Sequence, residues 1–266
     1  MLFIVDGTGE FFDDNYTVEM AGSFCKILEI RGKGSYMRGP SVEGLMTFEK
    51  SKVVVRRVLA ALQKNPKEPI YLAGHSRGGA AVIYAAQLLG RGNIPVQAMF
   101  LYDAVDRTLD FDIDVSKISG NVVICYHARR FPHLSDHFKK AVATALAELN
   151  LIKTREGEKS RSYLTKRAAF DQLRRKDLKV RQLSRCENIL DSGFRSIDFG
   201  NCGTSADAPC RYEQKFFLGT HGAIGGAPAL DHSIDELTTI DRAAMRAVDA
   251  WRGAALAKEG VLRPSA

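Results

Sequence analysis

Ser76 stands in Gly74-His75-Ser76-Arg77-Gly78-Gly79, with a glycine two places before it and another two places after. A serine hydroxyl is a weak nucleophile unless an imidazole takes its proton as attack proceeds. That imidazole in turn needs a carboxylate to fix its tautomer and stabilise the imidazolium. The chain supplies both groups in the order serine, aspartate, histidine: Asp103 at the end of the apolar run from Pro95 to Tyr102, and His221 in the glycine-dense stretch from Thr220 to Gly226. These residues predict acyl chemistry on a carbonyl, with Ser76 as nucleophile, His221 as general base and Asp103 as the group that orients it. Asp106, three residues on, is the reserve acid and Asp136 a third. The competing role for Asp103 is a helix cap or turn former.

The developing oxyanion needs amide donors. Apolar residues Ile70 to Ala73 run directly into the Ser76 motif and a helical pattern follows at once, so the segment reads as strand, tight turn, helix. Such a turn puts the Arg77 amide at a helix N-terminus, where unpaired amides and the helix dipole favour negative charge. A second donor is expected from Gly7 or Thr8, in the polar turn Asp6-Gly7-Thr8-Gly9 after the run Leu2 to Val5. An ordinary β-turn is the alternative there.

The other histidines are weighed against metal binding. His127, His133 and His137 lie close in sequence but lack companion carboxylates at ligand spacing, so no metal is assigned. His75 reads as structural, pointing away from the nucleophile's partner, and His232 as a helix cap. The triad chemistry requires no cofactor. Five cysteines give an odd number, against a complete disulfide framework. Cys25 and Cys125 fall in expected strands as small buried residues, whereas Cys202 and Cys210 bracket a loop and can pair only in an oxidising compartment.

Elements that would position these groups follow from periodicity. Strands are expected at Leu2 to Val5, Ser23 to Ile30, Ile70 to Ala73, Pro95 to Tyr102, Asn121 to Tyr126 and Lys215 to Gly219. Helices are expected around Val53 to Leu62, after Ser76 as far as Gly90, from Ser135 to about Gln182, and from Ser233 to Trp251. Arg31 to Gly44 reads as a glycine-rich loop and Cys186 to Tyr212 as an irregular region. Near-continuous Val, Ile, Leu and Phe runs suit strands buried on both faces. The fold class is therefore α/β: a mostly parallel central sheet with helices on both faces, one domain over 1–266, and 135–212 as an inserted helical and loop cap region before the last strand.

Hydrophobic residues make up 45% of the chain and charged residues 26%, and no apolar run approaches the length of a membrane span. Leu2-Phe3-Ile4-Val5 stops at Asp6, too short for a secretory signal core, so a cytoplasmic location is expected, with a signal-independent export route left open. The net charge of +7 is local: Lys153 to Arg185 holds twelve Lys or Arg against four Asp or Glu, which exceeds the whole chain's balance. Residues 153–185 are a candidate for peripheral contact with an anionic membrane or acidic substrate, the alternative being a solvated helical face. No specific nucleic-acid partner is assigned, and the oligomeric state is not legible.

Four blocks also resemble a known family. Phe3-Ile4-Val5-Asp6-Gly7-Thr8, the Ser76 motif, Leu101-Tyr102-Asp103-Ala104-Val105 and Gly219-Thr220-His221-Gly222-Ala223-Ile224-Gly225-Gly226 look like those of the α/β hydrolase domain in type VI secretion phospholipase effectors and their bacterial relatives. In that family the second block reads approximately Gly-Phe-Ser-Arg-Gly-Ala. The resemblance covers most of residues 1–230 and implies an α/β hydrolase fold and hydrolysis of carboxylic esters, including phospholipids. This sequence departs from the pattern at Ala223, where the family has aspartate, and at Ala227, where it has glycine; no counterpart of the large effectors' membrane-anchoring domain is expected within these residues. Two other functions fit the same residues: a peptidase or amidase using the same triad, and a non-catalytic module docking through its basic helices.

Overall fold

Short apolar strands separated by helices assemble side by side in this protein. The computed structural model describes residues 1–8, 16–18, 20–32, 34–40, 46–105, 114–130, 134–175, 202–227 and 235–262. The strands are β1 (Leu2–Val5), β2 (Ser35–Met37), β3 (Tyr71–His75), β4 (Ala98–Tyr102), β5 (Lys117–Ile118), β6 (Ile124–Arg130), β7 (Ser205–Ala206) and β8 (Arg211–Phe217). The helices are α1 (Phe24–Gly32), α2 (Thr47–Lys64), α3 (Ser76–Arg91), α4 (Leu134–Glu156), α5 (161–175), α6 (His221–Gly225) and α7 (Asp235–Lys258).

Six strands form one sheet in the order β2-β1-β3-β4-β6-β8, and every pairing in it is parallel. β5 and β7 form a separate parallel pair. Because the strands run the same way, their carboxyl ends lie along one rim, where ligands gather in open α/β sheets. Register sets that rim: Val5 lies beside Gly74, His75 beside Tyr102, and Tyr102 beside Ala128.

Alternate residues of each strand enter different cores. Phe3, Val5, Leu72, Met99, Leu101 and Cys125 pack with Val54 and Val58 of α2 and with the buried face of α3. Leu2, Ile4, Ala73, Phe100, Tyr102 and Tyr126 pack with Phe24 and Leu28 of α1, Ile224 of α6, and Val248 and Leu256 of α7. The sheet is thus covered on both faces, which is why its strands read as continuous apolar runs. Contacts divide the chain into two compact units, one of Met1–Arg130, Phe199–Leu230 and Asp241–Ala266 and one of Phe131–Asp198 and Asp231–Ile240. In the second, Leu149, Tyr163 and Phe170 form a small core between α4 and α5.

Several expected elements differ. Ser23 to Ile30 is a helix, not a strand: the Ser23 hydroxyl accepts from the Lys26 amide at 2.9 Å, and the buried residues are Phe24, Cys25 and Leu28, on one helical face. The expected loop from Arg31 contains edge strand β2. β6 continues through His127 to Arg130, and β8 begins at Arg211, inside the segment read as irregular. The helical stretch from Ser135 breaks at Gly157, whose φ of 82° no other residue type adopts readily. Residues 176–182 and most of Cys186 to Tyr212 lie outside the described residues. Cys202 and Cys210 are free thiols, with Cys202 buried. No helix among the described residues is long and apolar enough to cross a membrane.

Leu72 is wholly buried in the central strand. Leu72→Ala is expected to destabilise the protein by about 2–5 kcal/mol through lost burial and a residual cavity. Urea unfolding followed by circular dichroism measures this, and a cost below about 1 kcal/mol would contradict the packing.

Candidate active site

β3 ends at His75 and α3 begins at Ser76 with no connecting residue, so the chain reverses direction on the serine itself. Ser76 has φ of 55°, in the left-handed region that costs a non-glycine residue energy and that functional sites retain. The two motif glycines make the turn possible. A Cβ on Gly74 would lie 2.6 Å from the Gly78 carbonyl oxygen, and one on Gly78 would strike the carbonyl oxygens of Val5 and Asp6 at the end of β1. The elbow and the loop after β1 are therefore pressed main chain to main chain.

The candidate acid comes from the neighbouring strand. Asp103 follows β4 directly, also with positive φ, at 42°, and is 1% exposed. Its amide donates to the Ala128 carbonyl of β6 at 2.7 Å, and the Val105 amide donates to the Ser76 carbonyl at 3.1 Å, tying this turn to the elbow. The buried His127 helps hold it: its Nε2 accepts from the Ala104 amide at 3.1 Å, so its Nδ1 carries the proton and donates to the Gly203 carbonyl at 3.1 Å. Burial pushes this imidazole down to about 4. His127, weighed in the sequence as a metal ligand, has both ring nitrogens engaged in protein hydrogen bonds. His133, His232, Asp106 and the side chains of His137 and Asp136 lie outside the described residues.

His221 opens the one-turn helix α6, and the preceding residue sets its position. Thr220 caps the helix through its hydroxyl, which accepts from the Ala223 amide at 3.3 Å. The same hydroxyl and the Thr220 amide both donate to the buried carboxylate of Asp241 on α7, each at 2.8 Å. Sequence reasoning missed Asp241. Its one visible signal was an aspartate at the spacing of the apolar stripe, seven residues after Ile234 and three before Ala244.

The three residues singled out in the sequence meet at the rim. His221 Nε2 lies 2.8 Å from Ser76 Oγ, and His221 Nδ1 lies 2.7 Å from Asp103 Oδ2. If Nδ1–H donates to the carboxylate, Nε2 carries the lone pair and can accept the serine proton. Arg130, also missed in the sequence, closes the far side of the acid: its amide donates to Asp103 Oδ1 at 3.2 Å and its guanidinium Nε lies 3.3 Å from Oδ2. Burial alone would raise the Asp103 carboxyl, but the His221 hydrogen bond and the Arg130 cation outweigh it and hold the group well below the usual carboxylate range. Burial pushes the His221 imidazole down to about 4 against the opposing pull of Asp103, so the ring is neutral near pH 7.

Of the expected oxyanion donors, Arg77 lies in the first turn of α3. The Gly7 amide instead donates to the carboxylate of Asp6 at 2.8 Å and is spent there. Thr8 remains on that loop, and its buried hydroxyl has no hydrogen-bond partner among the described residues. Asp6 is fully buried and also accepts from the hydroxyls of Ser23 and of Tyr36. Tyr16 braces the same loop, donating to the Gly7 carbonyl at 2.9 Å. His75 does not point away from the base: its ring centroid lies 5.0 Å from that of His221.

The chain matches no family model and no curated protein. Among solved structures it is similar to a cutinase-like protein from Cryptococcus sp., at 22% identity and a TM-score of 0.27 over 43% of this chain, and it spans only 58% of that protein. It is similar to RedJ, a thioesterase from the prodiginine biosynthetic pathway in Streptomyces coelicolor, at 14% identity and a TM-score of 0.30 over 91% of this chain and 85% of that one. A third is the thioesterase domain SrfTE, which cyclises the lipopeptide antibiotic surfactin, at 14% identity and a TM-score of 0.32 over 94% and 90%. The parallel six-stranded sheet, the helices on both faces and the elbow at the end of β3 define the α/β architecture on their own.

Two outcomes follow for this site. Labelling of Ser76 by a fluorophosphonate should slow on acidification as His221 protonates, with its midpoint well below the ordinary histidine value of 6.5; a midpoint at or above 6.5 in a pH–rate profile would contradict the burial of the base. Asp241→Ala leaves a buried amide and hydroxyl unpaired, so it should cost about 1–3 kcal/mol of stability and slow the same labelling. Urea unfolding and labelling kinetics that both match wild type would remove its supporting role.

Proposed function

We propose that this protein is a serine hydrolase that cleaves carboxylic esters through an acyl-enzyme on Ser76. The observation that carries this is the continuous run of hydrogen-bond distances from Ser76 Oγ through His221 to Asp103, 2.8 Å and 2.7 Å. As Oγ attacks the ester carbonyl, His221 Nε2 takes its proton and Asp103 stabilises the imidazolium. Charge on the carbonyl oxygen is received by the amides of Arg77 and Thr8, with the Thr8 hydroxyl as a further donor. The tetrahedral intermediate collapses when Nε2–H protonates the leaving alkoxide, and a water activated by the same imidazole then releases the acid. Neither half-reaction requires a cofactor.

Lipid esters, phospholipids among them, are the substrate class favoured by the four-block resemblance and by the basic helices. Lys153, Lys166 and Arg167 are paired with Glu158, Glu148 and Asp171. Arg155, Lys159, Arg161, Arg174 and Arg175 are exposed on the same segment. Near an anionic lipid surface each such cation contributes about 1 kcal/mol, screened by salt.

Ser76→Ala should abolish fluorophosphonate labelling and lower ester turnover by at least about 10³-fold while leaving the circular dichroism spectrum unchanged. Equal labelling of wild type and variant would end the proposal. p-Nitrophenyl esters of increasing acyl length should be cleaved in preference to peptide anilides; the reverse order would favour a peptidase, and binding of anionic vesicles without Ser76-dependent turnover a docking module.

A further inference from the structure

We infer that His75 is a positioning residue: its ring is the spacer that holds the oxyanion loop, the nucleophile elbow and the helix carrying the base at their working separations. The inference rests on the hydrolase proposal above and adds a residue to it.

His75 precedes the nucleophile on β3 and is 3% exposed. Among the described residues neither buried ring nitrogen has a hydrogen-bond partner, and the Asp6 Oδ1 carboxylate oxygen is 3.7 Å from Nδ1. A buried imidazole with no partner pays for desolvation and recovers nothing through hydrogen bonding. What the ring does contribute is shape. A Cβ on Gly7 would lie 2.6 Å from Nδ1 and 3.0 Å from Cε1, and a Cβ on Gly225 would land on the Nε2 side of the same ring. One edge of His75 therefore bears on the loop after β1, which carries Thr8, and the other bears on α6, which carries His221.

Its face completes the arrangement. The His221 ring lies over His75 at 5.0 Å between centroids, inclined by 30°. Asp103 and Ser76 fix the two nitrogens of His221 but not the tilt of its plane about the line between them, and His75 supplies the surface that limits that tilt. Gly7 and Gly225 are glycine for the same reason, since a side chain at either would push the ring against its neighbours. Reacting groups displaced by as little as an ångström lose rate steeply.

The test compares His75→Ala, which removes the ring, with His75→Phe, which keeps a ring without nitrogens. His75→Ala should lower kcat on the order of 10-fold or more with KM little changed, and His75→Phe should recover most of that loss. In nuclear magnetic resonance spectra, the low-field proton of the His221–Asp103 hydrogen bond should broaden or vanish in the alanine variant and persist in the phenylalanine variant. Gly225→Ala should lower kcat comparably in the wild-type background and add little in the His75→Ala background, because the clashing ring is gone.

Wild-type kcat in His75→Ala, a phenylalanine variant as impaired as the alanine one, or fully additive effects of Gly225→Ala would each overturn the spacer role. If His75→Ala does not fold, Gly225→Ala alone decides: unchanged kcat overturns the inference and lowered kcat supports it. Wild type and Ser76→Ala run alongside separate the two proposals, since absent Ser76-dependent turnover would fell the hydrolase. The low-field proton reports on His75 without needing turnover.

Discussion

Main chain pressed against main chain at the elbow is the contact from which the rest of the site follows. With Gly78 lying on the carbonyl oxygens of Val5 and Asp6, and Gly74 on that of Gly78, the end of β1, the end of β3 and the start of α3 cannot separate by the width of a methyl group. That closeness puts Ser76 into its positive-φ conformation and brings the Asp6-Gly7-Thr8 loop beside it. Strain at one residue is tolerated because the parallel pairings on both sides of β3 over-determine the turn.

Around that contact, each of three buried carboxylates gathers its own hydrogen-bond donors. Asp103 is held by His221 and Arg130, Asp241 by both donors of Thr220, and Asp6 by Gly7, Ser23 and Tyr36. Each carboxylate anchors a different element of the site: His221, the helix that begins with it, and the loop after β1. A buried carboxylate is costly unless donors surround it, so each cluster also fixes the elements that supply its donors. His127 plays the corresponding neutral part, joining the acid's turn to Gly203.

Much of this was legible in the chain. Glycine spacing around Ser76, apolar runs that stop at Asp103, and a histidine in a glycine-dense stretch after a late strand each announced a local structure, and all three side chains converge. Legibility failed where local signals were balanced. Ser23 to Ile30 carries enough apolar residues to alternate as a strand, but the Ser23 cap and the burial of Phe24, Cys25 and Leu28 together settle it as a helix. The Gly7 amide looked available as an oxyanion donor because nothing in the sequence shows that Asp6 folds back to accept it.

What the sequence determined by itself was the strand-turn-helix at Ser76 and the choice of Ser76, Asp103 and His221 as candidates for one site, because glycine placement, apolar periodicity and side-chain chemistry are local properties. Tertiary structure alone decided that Arg130 supports Asp103, that Asp241 anchors Thr220 at the start of α6 and that His75 lies over His221. Those partners are 27, 21 and 146 residues apart in the chain, and only the parallel register and the packing of helices on the sheet bring such distant groups within a few ångströms.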